Sequence, residues 1–394
     1  MATAYGLFDQ YPCGAPRQVE RAVGISVCAP QIHVDMEHAC APARLHTPTT
    51  MSSNSSPYHY PYSQAAHLDP RITVPRPAID PALAPIVDSV LLPEELDVGF
   101  LRGFDLTLSP ELILKANPHL THTEHGVPGS DGNTIPLSVF APKTAPGALP
   151  ALYHIHGGGM VSGDRFSAVP SLIDLVQDVP CVIVSVEYRL APETRAPGAA
   201  EDCYAGLVWI SANATRLGID PAEIIVCAVS GGAPLAAAAC LMARDRMLPT
   251  VPVKAQMLLS PMLDDRCDSI SDQQFEYGVP WNGVSNRAAW NHVLGGQRGS
   301  NKVTMYQAPS RATDLSNLPQ AYIDAAECEV FRDPAVMYAM NMWRCASTCE
   351  LHVWPGGIHL FDAIDNPQVP VVGAAIAAKR AWLRRMMLPL KAER

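Results

Sequence analysis

Ser230 stands in a pattern typical of an activated nucleophile. The segment 223–229 is apolar and strand-like, and Ser230, Gly231 and Gly232 then lead into a helix of small residues. A serine on a sharp strand-to-helix turn exposes its hydroxyl, which is the arrangement in Gly-x-Ser-x-Gly nucleophile elbows. Ala228 here replaces the first glycine of that pattern. A serine before two glycines is also a common helix N-cap, so this motif alone leaves both interpretations open.

A second segment, His154-Ile155-His156-Gly157-Gly158-Gly159, directly follows a strand-like run. Three successive glycines let backbone N–H groups converge on one oxygen, as an oxyanion hole requires. A Walker phosphate loop would need Gly-Lys-Ser/Thr, which is absent, and dinucleotide binding needs another glycine spacing. His154 and His156 have no third metal ligand in view. The sequence therefore predicts an oxyanion loop and neither a metal nor an organic cofactor.

A third segment supplies a candidate base. His359 lies on a glycine-rich loop after the last predicted strand, where it could reach back to a serine. An acid that orients this histidine should follow the strand at 320–325, and the candidates are Glu327, Glu329 and Asp333. The chain order of serine, acid and histidine is that of α/β-hydrolases. Spacing alone leaves the choice among the three carboxylates open.

The elements that must position these groups alternate along the chain. A hairpin is predicted at 120–127 and 134–142. Buried strands then alternate with helices, which indicates a parallel sheet covered on both faces. The predicted strands are 151–156, 181–188, 223–229, 253–260, 320–325 and 349–354, and the predicted helices lie near 168–178, 198–216, 231–246, 334–345 and 368–386.

Two further segments interrupt this alternation and are predicted to cover the strand ends. The first lid segment spans residues 66–118, which include amphipathic helical patterns between 82 and 116, and the second spans 266–315. Tyr277, Trp281 and Trp290 in the second lid segment are candidate substrate contacts and indicate an apolar substrate. Residues 1–65 are rich in Pro, Ser, His and Tyr without a sustained period, so we expect a disordered tail before a hydrolase domain at 66–394.

The composition excludes several classes of protein. With 48% hydrophobic residues the chain can bury a large core, and a net charge of −10 argues against nucleic acid as a partner. No uninterrupted apolar run is long enough to span a membrane, and the first residues lack the apolar core of a secretory signal. The 11 cysteines form no paired framework. We therefore expect a cytoplasmic protein or one of another reducing, intracellular compartment; the oligomeric state is not predicted.

Taken together, the motifs resemble those of the hormone-sensitive-lipase-like (HGGG-motif) esterases of the α/β-hydrolase superfamily. The matching segments occur in the family's order and extend over roughly residues 120–390: 154–164, 186–193, 199–210, 228–238, 260–265, 326–334 and 356–362. The resemblance implies an α/β-hydrolase fold, with a mostly parallel sheet and a helical lid.

The resemblance also assigns roles to residues. It implies a catalytic triad of Ser230, Glu329 and His359, with glutamate at a position where relatives more often have aspartate. It implies an oxyanion hole formed by Gly157, Gly158 and the N–H of Gly231. His156 would anchor the glycine loop, and Arg189 and Glu193 would form a structural pair.

The function predicted from these residues is hydrolysis of a carboxylic ester of an apolar small molecule, through an acyl-enzyme. The acid loop at 326–333 is similar to that of fungal relatives associated with secondary-metabolite (polyketide or toxin) pathways, which implies a place in such a pathway. Two alternatives stay open. One is a transacylase or dehydratase on the same scaffold, and the other is a non-catalytic small-molecule receptor, which retention of Ser230 and His359 disfavours.

Overall fold

The computed structural model describes residues 71, 73–85, 93–103, 108–364 and 366–388, so the tail predicted for residues 1–65 lies outside the described part of the chain. The helices in these ranges are α1 (Val98–Gly103), α2 (Pro110–Ala116), α3 (Val169–Leu175), α4 (Gly198–Ala212), α5 (Ala214–Leu217), α6 (Ala233–Arg246), α7 (Ile270–Gln274), α8 (Gly283–Leu294), α9 (Arg332–Arg344) and α10 (Pro370–Met387). No helix among them combines the length and apolarity that crossing a membrane requires.

The described strands form one sheet. They are β1 (Leu120–Pro128), β2 (Thr134–Pro142), β3 (Leu149–Ile155), β4 (Val182–Val186), β5 (Ile219–Val229), β6 (Ala255–Leu259), β7 (Gln320–Cys328) and β8 (Cys349–Ile358). Their order is β1-β2-β4-β3-β5-β6-β7-β8. Strand β2 is antiparallel to both β1 and β4, and all other neighbours are parallel. The predicted α/β-hydrolase fold class, with its mostly parallel sheet, is confirmed.

Side chains of the central strands alternate between two buried layers, as the period of a strand requires. Tyr153 and Val226 point into the layer covered by α4, α6 and α9, whereas Leu152 and Ile225 point into the layer covered by α3 and the end of α10. Every residue of α6 from Ala233 to Met242 is buried. A helix that is apolar on all sides belongs inside the protein, and α6 lies directly behind the end of β5.

The second lid segment folds into helices with regular caps. A capping box formed by Ser269 and Asp272 begins α7, and the Asn282 side chain accepts a hydrogen bond from the Ser285 N–H to begin α8. Gly295, with φ of +58°, ends α8 in the left-handed conformation that glycine adopts readily. Trp290 on this helix is fully buried in the core.

The first lid segment is attached to the loops at the carboxyl ends of the strands. The Asp80 N–H donates to the Gly356 carbonyl at 2.9 Å. Arg102 on α1 donates from Nε to the Val161 carbonyl at 2.8 Å and from Nη2 to the Ala191 carbonyl at 2.9 Å. Of the helical pattern predicted between 82 and 116, the structure shows α1 and α2, and part of it lies outside the described residues.

The expected pairing of Arg189 with Glu193 is wrong. Arg189 donates from Nε and Nη2 to the buried carboxylate of Asp202, each at 2.8 Å. Glu193 instead accepts two hydrogen bonds from Arg102, at 2.7 and 2.8 Å. The spacing of four residues brings side chains together only on a helix, and 188–193 is not helical.

We expect Asp202→Asn to lower the free energy of unfolding by about 3 kcal/mol, because it leaves the Arg189 guanidinium without its buried counter-charge. Asp202 is fully buried and also accepts from Asn133 Nδ2 at 3.1 Å. Urea unfolding followed by circular dichroism measures the change.

The neighbouring residue on α4 provides a matched control. Glu201 pairs with Arg246 at 2.6 Å, but the pair is partly exposed. Glu201→Gln should therefore cost no more than about 1 kcal/mol. Equal losses in the two variants would contradict the assignment of a structural role to the Arg189–Asp202 pair.

Candidate active site

Ser230 lies at a sharp turn between β5 and α6. Its φ is +54°, a left-handed conformation that is unfavourable for a residue with a side chain. It opens a single 3₁₀ turn, Ser230–Gly232, before α6 begins at Ala233. A side chain at Gly232 would clash with the carbonyl oxygens of Ile155 and His156. The small residues after Ser230 thus let the turn pass against the end of β3.

Ala228, where elbows commonly carry glycine, fits into β5. It pairs with Ile155 on β3 and with Leu258 on β6, and its side chain is almost fully buried. Its methyl group is therefore part of the sheet packing two residues before the turn.

His359 follows directly after the end of β8 and reaches the serine. Its Nε2 lies 2.9 Å from the Oγ of Ser230, 129 residues away in the chain. Phe331 packs edge-on against the imidazole, with ring centroids 5.1 Å apart. A hydroxyl at this distance from a ring nitrogen can transfer its proton to that nitrogen.

Among the three candidate acids, the structure brings Glu329 to the histidine. Its Oε2 lies 2.6 Å from His359 Nδ1, and its Oε1 accepts the Ala326 N–H at 2.7 Å. The carboxylate is fully buried. A carboxylate at Nδ1 fixes the tautomer in which Nε2 is free to accept a proton.

The other two candidate acids bind neighbouring loops. Glu327 Oε2 accepts the Gly356 N–H at 2.9 Å, which connects the acid loop to the loop before His359. Asp333 Oδ2 accepts the Ser271 N–H at 2.7 Å and thereby connects α9 to α7. Neither carboxylate hydrogen-bonds His359, and both have structural partners.

The glycine loop lies against the elbow. A Cβ built on Gly157 would lie 3.4 Å from Ser230 Cβ, and one on Gly231 would lie 2.5 Å from the Gly159 nitrogen. Gly158 has a φ of +101°, a backbone conformation that glycine adopts readily and other residues rarely do. Gly157 is therefore close to the Ser230 side chain, and Gly231 lies against Gly159 of the same loop.

Two aromatic rings support this loop. His156 Nδ1 donates to the Gly157 carbonyl at 2.8 Å, and the Tyr188 hydroxyl donates to the His156 carbonyl at 2.9 Å. The two rings stack with centroids 4.1 Å apart. Burial lowers the pKa of His156, so the imidazole is neutral near pH 7. Sequence reasoning assigned an anchoring role to His156 and a scaffold role to the segment 188–193, but it did not assign this contact to Tyr188.

His154 on β3 and His156 in the loop after it have different partners. His154 is buried, and its Nδ1 lies 2.8 Å from the Ser185 hydroxyl on β4. Burial lowers the pKa of His154 to about 3. No group of three or more His, Cys, Asp or Glu side chains in the described ranges is arranged to hold a metal ion.

A cavity of about 1110 Å³ opens above Ser230 and His359. Gly158, Gly159 and Trp281 line the part beside the serine, while Leu101 and Arg102 come from the first lid segment. Trp281 packs on the glycine loop, because a Cβ on Gly159 would lie 2.5 Å from its Cη2 atom. Its ring centroid is 6.5 Å from that of His359.

The structure does not place the other two aromatic candidates on this cavity. Trp290 is on the inward face of α8 and fully buried, so it is a core residue, which corrects its assignment as a substrate contact. Tyr277 is also absent from the cavity wall, and the Arg71 guanidinium lies over its ring at 3.9 Å. Sequence reasoning did not identify Arg102 as a residue of the cavity wall. The only indication in the sequence was that it is a basic residue in a mostly apolar helical stretch.

Comparison with known proteins supports the same interpretation. Residues 152–363 match a family model described as an α/β hydrolase fold. The chain is 31% identical over 294 residues to the carboxylesterase NlhH of Mycobacterium tuberculosis. This alignment covers 73% of this chain and 90% of the relative. It is 30% identical over 238 residues to an arylesterase of Saccharolobus solfataricus, covering 58% of this chain and 72% of the relative.

A solved structure gives a similar result. A bacterial heroin esterase superposes with a TM-score of 0.71 at 33% identity, covering 79% of this chain and 98% of that chain. The chain therefore belongs to the α/β-hydrolase family. Within that family it is a carboxylesterase-type enzyme, and the prediction of an ester hydrolase is confirmed at this level.

We expect Glu329→Gln to lower kcat by about 10³–10⁴-fold, because an amide neither fixes the tautomer of His359 nor stabilises its protonated form. Steady-state hydrolysis of p-nitrophenyl acetate measures the loss. Glu327→Gln and Asp333→Asn each remove a nearby carboxylate that does not contact His359, so they should affect stability more than kcat. A large loss of kcat in either control, with Glu329→Gln active, would contradict the assignment.

We expect Gly231→Ala to lower kcat by about 10²–10³-fold, because its Cβ would displace the glycine loop and misplace an oxyanion donor. The Gly159 nitrogen would lie 2.5 Å from that Cβ. Gly147→Ala is the control, since no atom lies within 4 Å of a Cβ at that position. Unchanged kcat in a folded Gly231→Ala enzyme would show that the close approach is not needed for turnover.

Proposed function

We propose that the chain hydrolyses a carboxylic ester through an acyl-enzyme, with Ser230 as nucleophile, His359 as base and Glu329 as its orienting acid. The observation that carries this proposal is the unbroken hydrogen-bonded series from Ser230 Oγ to His359 Nε2 at 2.9 Å and from Nδ1 to Glu329 at 2.6 Å. A positioned base converts a weakly nucleophilic hydroxyl into an effective nucleophile.

In the first step, Ser230 Oγ bonds to the ester carbonyl carbon while its proton passes to His359 Nε2. The carbonyl oxygen becomes an oxyanion, which the N–H groups of Gly157, Gly158 and Gly231 stabilise. The tetrahedral species collapses, the carbon–oxygen bond to the alcohol breaks, and the leaving oxygen takes the proton from His359. Water then attacks the acyl-enzyme through the same series of steps, with His359 again accepting and returning the proton. This releases the carboxylic acid and restores Ser230.

The substrate in this proposal is an apolar small-molecule ester. Trp281, Leu101 and Leu190 contribute apolar surface to the cavity, and the reacting groups lie deep in it, with Ser230 only 4% exposed. Such cavities bind ligands through apolar contacts and a few oriented polar groups. The likeness of the acid loop at 326–333 to that of fungal enzymes of secondary metabolism supports a polyketide- or toxin-derived ester.

The alternative functions predict different behaviour at the same site. A receptor needs the cavity but has no use for the connected Ser230, His359 and Glu329 side chains. A transacylase would form the same acyl-enzyme and transfer its acyl group to an alcohol or amine instead of water. Partition of the acyl group between water and an added alcohol therefore distinguishes a hydrolase from a transacylase.

We expect a fluorophosphonate to label the protein with one equivalent on the peptide that contains Ser230, as peptide mass spectrometry would show. Ser230→Ala should abolish labelling and lower the turnover of p-nitrophenyl acetate by about 10⁴-fold or more. Thermal melting checks that the variant is folded. Saturable binding of an apolar ester without any turnover or labelling would instead favour the receptor.

A further inference from the structure

A buried lysine lies outside the active-site cavity and forms ion pairs with two carboxylates. Lys379, on α10, is only 3% exposed, and its ammonium contacts Asp362 and, at 3.2 Å, Asp324. The Trp354 Nε1–H donates to the same oxygen of Asp324, also at 3.2 Å. Burial alone would lower the pKa of Lys379, but the two carboxylates raise it above its usual value, so the side chain is charged at neutral pH.

The two carboxylates belong to the two segments that carry the base and its acid. Asp362 is three residues after His359, in the loop that follows β8. Asp324 is on β7, and Glu329 directly follows that strand. The ammonium of Lys379 therefore connects the histidine segment to the glutamate segment, in addition to the 2.6 Å contact between the two catalytic side chains themselves.

The backbone beside His359 depends on its surroundings. Leu360, the next residue, has a φ of +58°, and a residue with a side chain keeps such a left-handed conformation only where the surrounding structure imposes it. Asp362 has no cation partner other than Lys379 in the part of the chain that the structure describes. The ion pair is thus a fixed point of this loop, only three residues beyond the imidazole.

Loss of the ammonium would act mainly on Asp362. Asp324 is 2% exposed and would keep its hydrogen bond from Trp354. Asp362 is only partly buried and lines a separate cavity of about 340 Å³ beside Lys379. A carboxylate that loses its buried counter-charge is strongly destabilised where it stands. The Asp362 side chain would therefore turn away into the space beside it, and the backbone that it displaces is that of the histidine loop.

We propose that Lys379 is a positioning residue, whose two ion pairs hold the imidazole of His359 in register with the other two members of the proposed triad. This inference rests on the proposed ester hydrolysis, because the lysine acts only through the base. Lys379 does not line the active-site cavity, so it has no contact with the reacting atoms. A displacement of about 1 Å at a catalytic group can lower the rate by about 10²-fold.

Lys379→Met tests the proposal, because methionine is also unbranched but carries no charge. We expect kcat and kcat/KM for p-nitrophenyl acetate to fall together by about 10²-fold with little change in KM, which is the pattern of an interaction needed only in the transition state. Labelling of Ser230 by the fluorophosphonate should slow by a similar factor. Lys379→Arg keeps the charge, has space in the neighbouring cavity for its extra atoms, and should retain most of the activity.

Asp362→Ala breaks the same ion pair from its other side and should also lower kcat. The partners of one interaction are not additive, so the double variant with Lys379→Met should lose no more activity than Lys379→Met alone. Losses that multiply in the double variant would show that the two side chains act separately, which overturns the proposal. Should Lys379→Met not fold, Asp362→Ala decides alone: a lowered kcat supports the proposal, and an unchanged kcat overturns it.

Arg244→Met is the matched control for a loss of stability. Arg244 is also a largely buried cation, with Asp245 at 2.7 Å and two backbone carbonyls as partners, but it is at the far end of α6 from Ser230. Thermal melting should show both methionine variants to be folded and less stable, whereas only Lys379→Met should lose kcat.

The outcomes separate this inference from the proposed function. An equal loss of kcat in Arg244→Met, or an unchanged kcat in folded Lys379→Met, overturns the positioning role while ester hydrolysis stands. Absence of turnover and of labelling in the unmodified enzyme overturns the proposed function, and the role of Lys379 with it.

Discussion

The close approach of two backbone turns is the constraint on which the rest of the structure depends. The turn after β5 and the glycine loop after β3 touch at Gly231 and Gly159, and again at Gly232 and the His156 carbonyl, where no side chain fits. This contact places Ser230 next to the loop that can supply oxyanion donors. The left-handed backbone at Ser230 is maintained because β5 is held between β3 and β6 before the turn, and the fully buried α6 follows it. The sheet and the helix behind it thus impose the strain at the nucleophile.

The histidine side of the site is held by a different set of contacts. Glu329 is fixed at its other oxygen by the Ala326 N–H, and Glu327 connects the same loop to Gly356. Asp80, from the first lid segment, binds Gly356 from the opposite side. Charged hydrogen bonds in a water-poor environment are strong, but an unpaired charge there is costly. The position of the His359 imidazole therefore depends on segments about 280 residues apart in sequence, and the lid is part of its support as well as a cover for substrate.

Much of this arrangement could be predicted from the sequence, because the signals were local. The hairpin and the alternating strands follow from apolar periodicity, and the identities of Ser230 and His359 as candidates follow from short glycine-rich motifs. The choice among Glu327, Glu329 and Asp333 could not be made from the residues alone, since it depends on which carboxylate the loop turns inward. Arg189 was assigned the wrong partner, because a spacing of four residues carries geometric meaning only on a helix. Trp290 was misplaced because aromatic character does not reveal which face of α8 points into the core.

The loop that carries His359 has two tasks that constrain each other. It must hold the imidazole within hydrogen-bonding distance of Ser230, and its next residue, Leu360, lines the cavity above the serine. Lys379 on α10 fixes the same loop through Asp362 and, through Asp324, connects it to β7. A loop anchored at this many points cannot adapt to the substrate without displacing the base. The shape of the space above Ser230 is therefore set by segments outside this loop, among them Leu101 and Arg102 of the first lid segment and Trp281 of the second, whose side chains can vary without moving the catalytic groups.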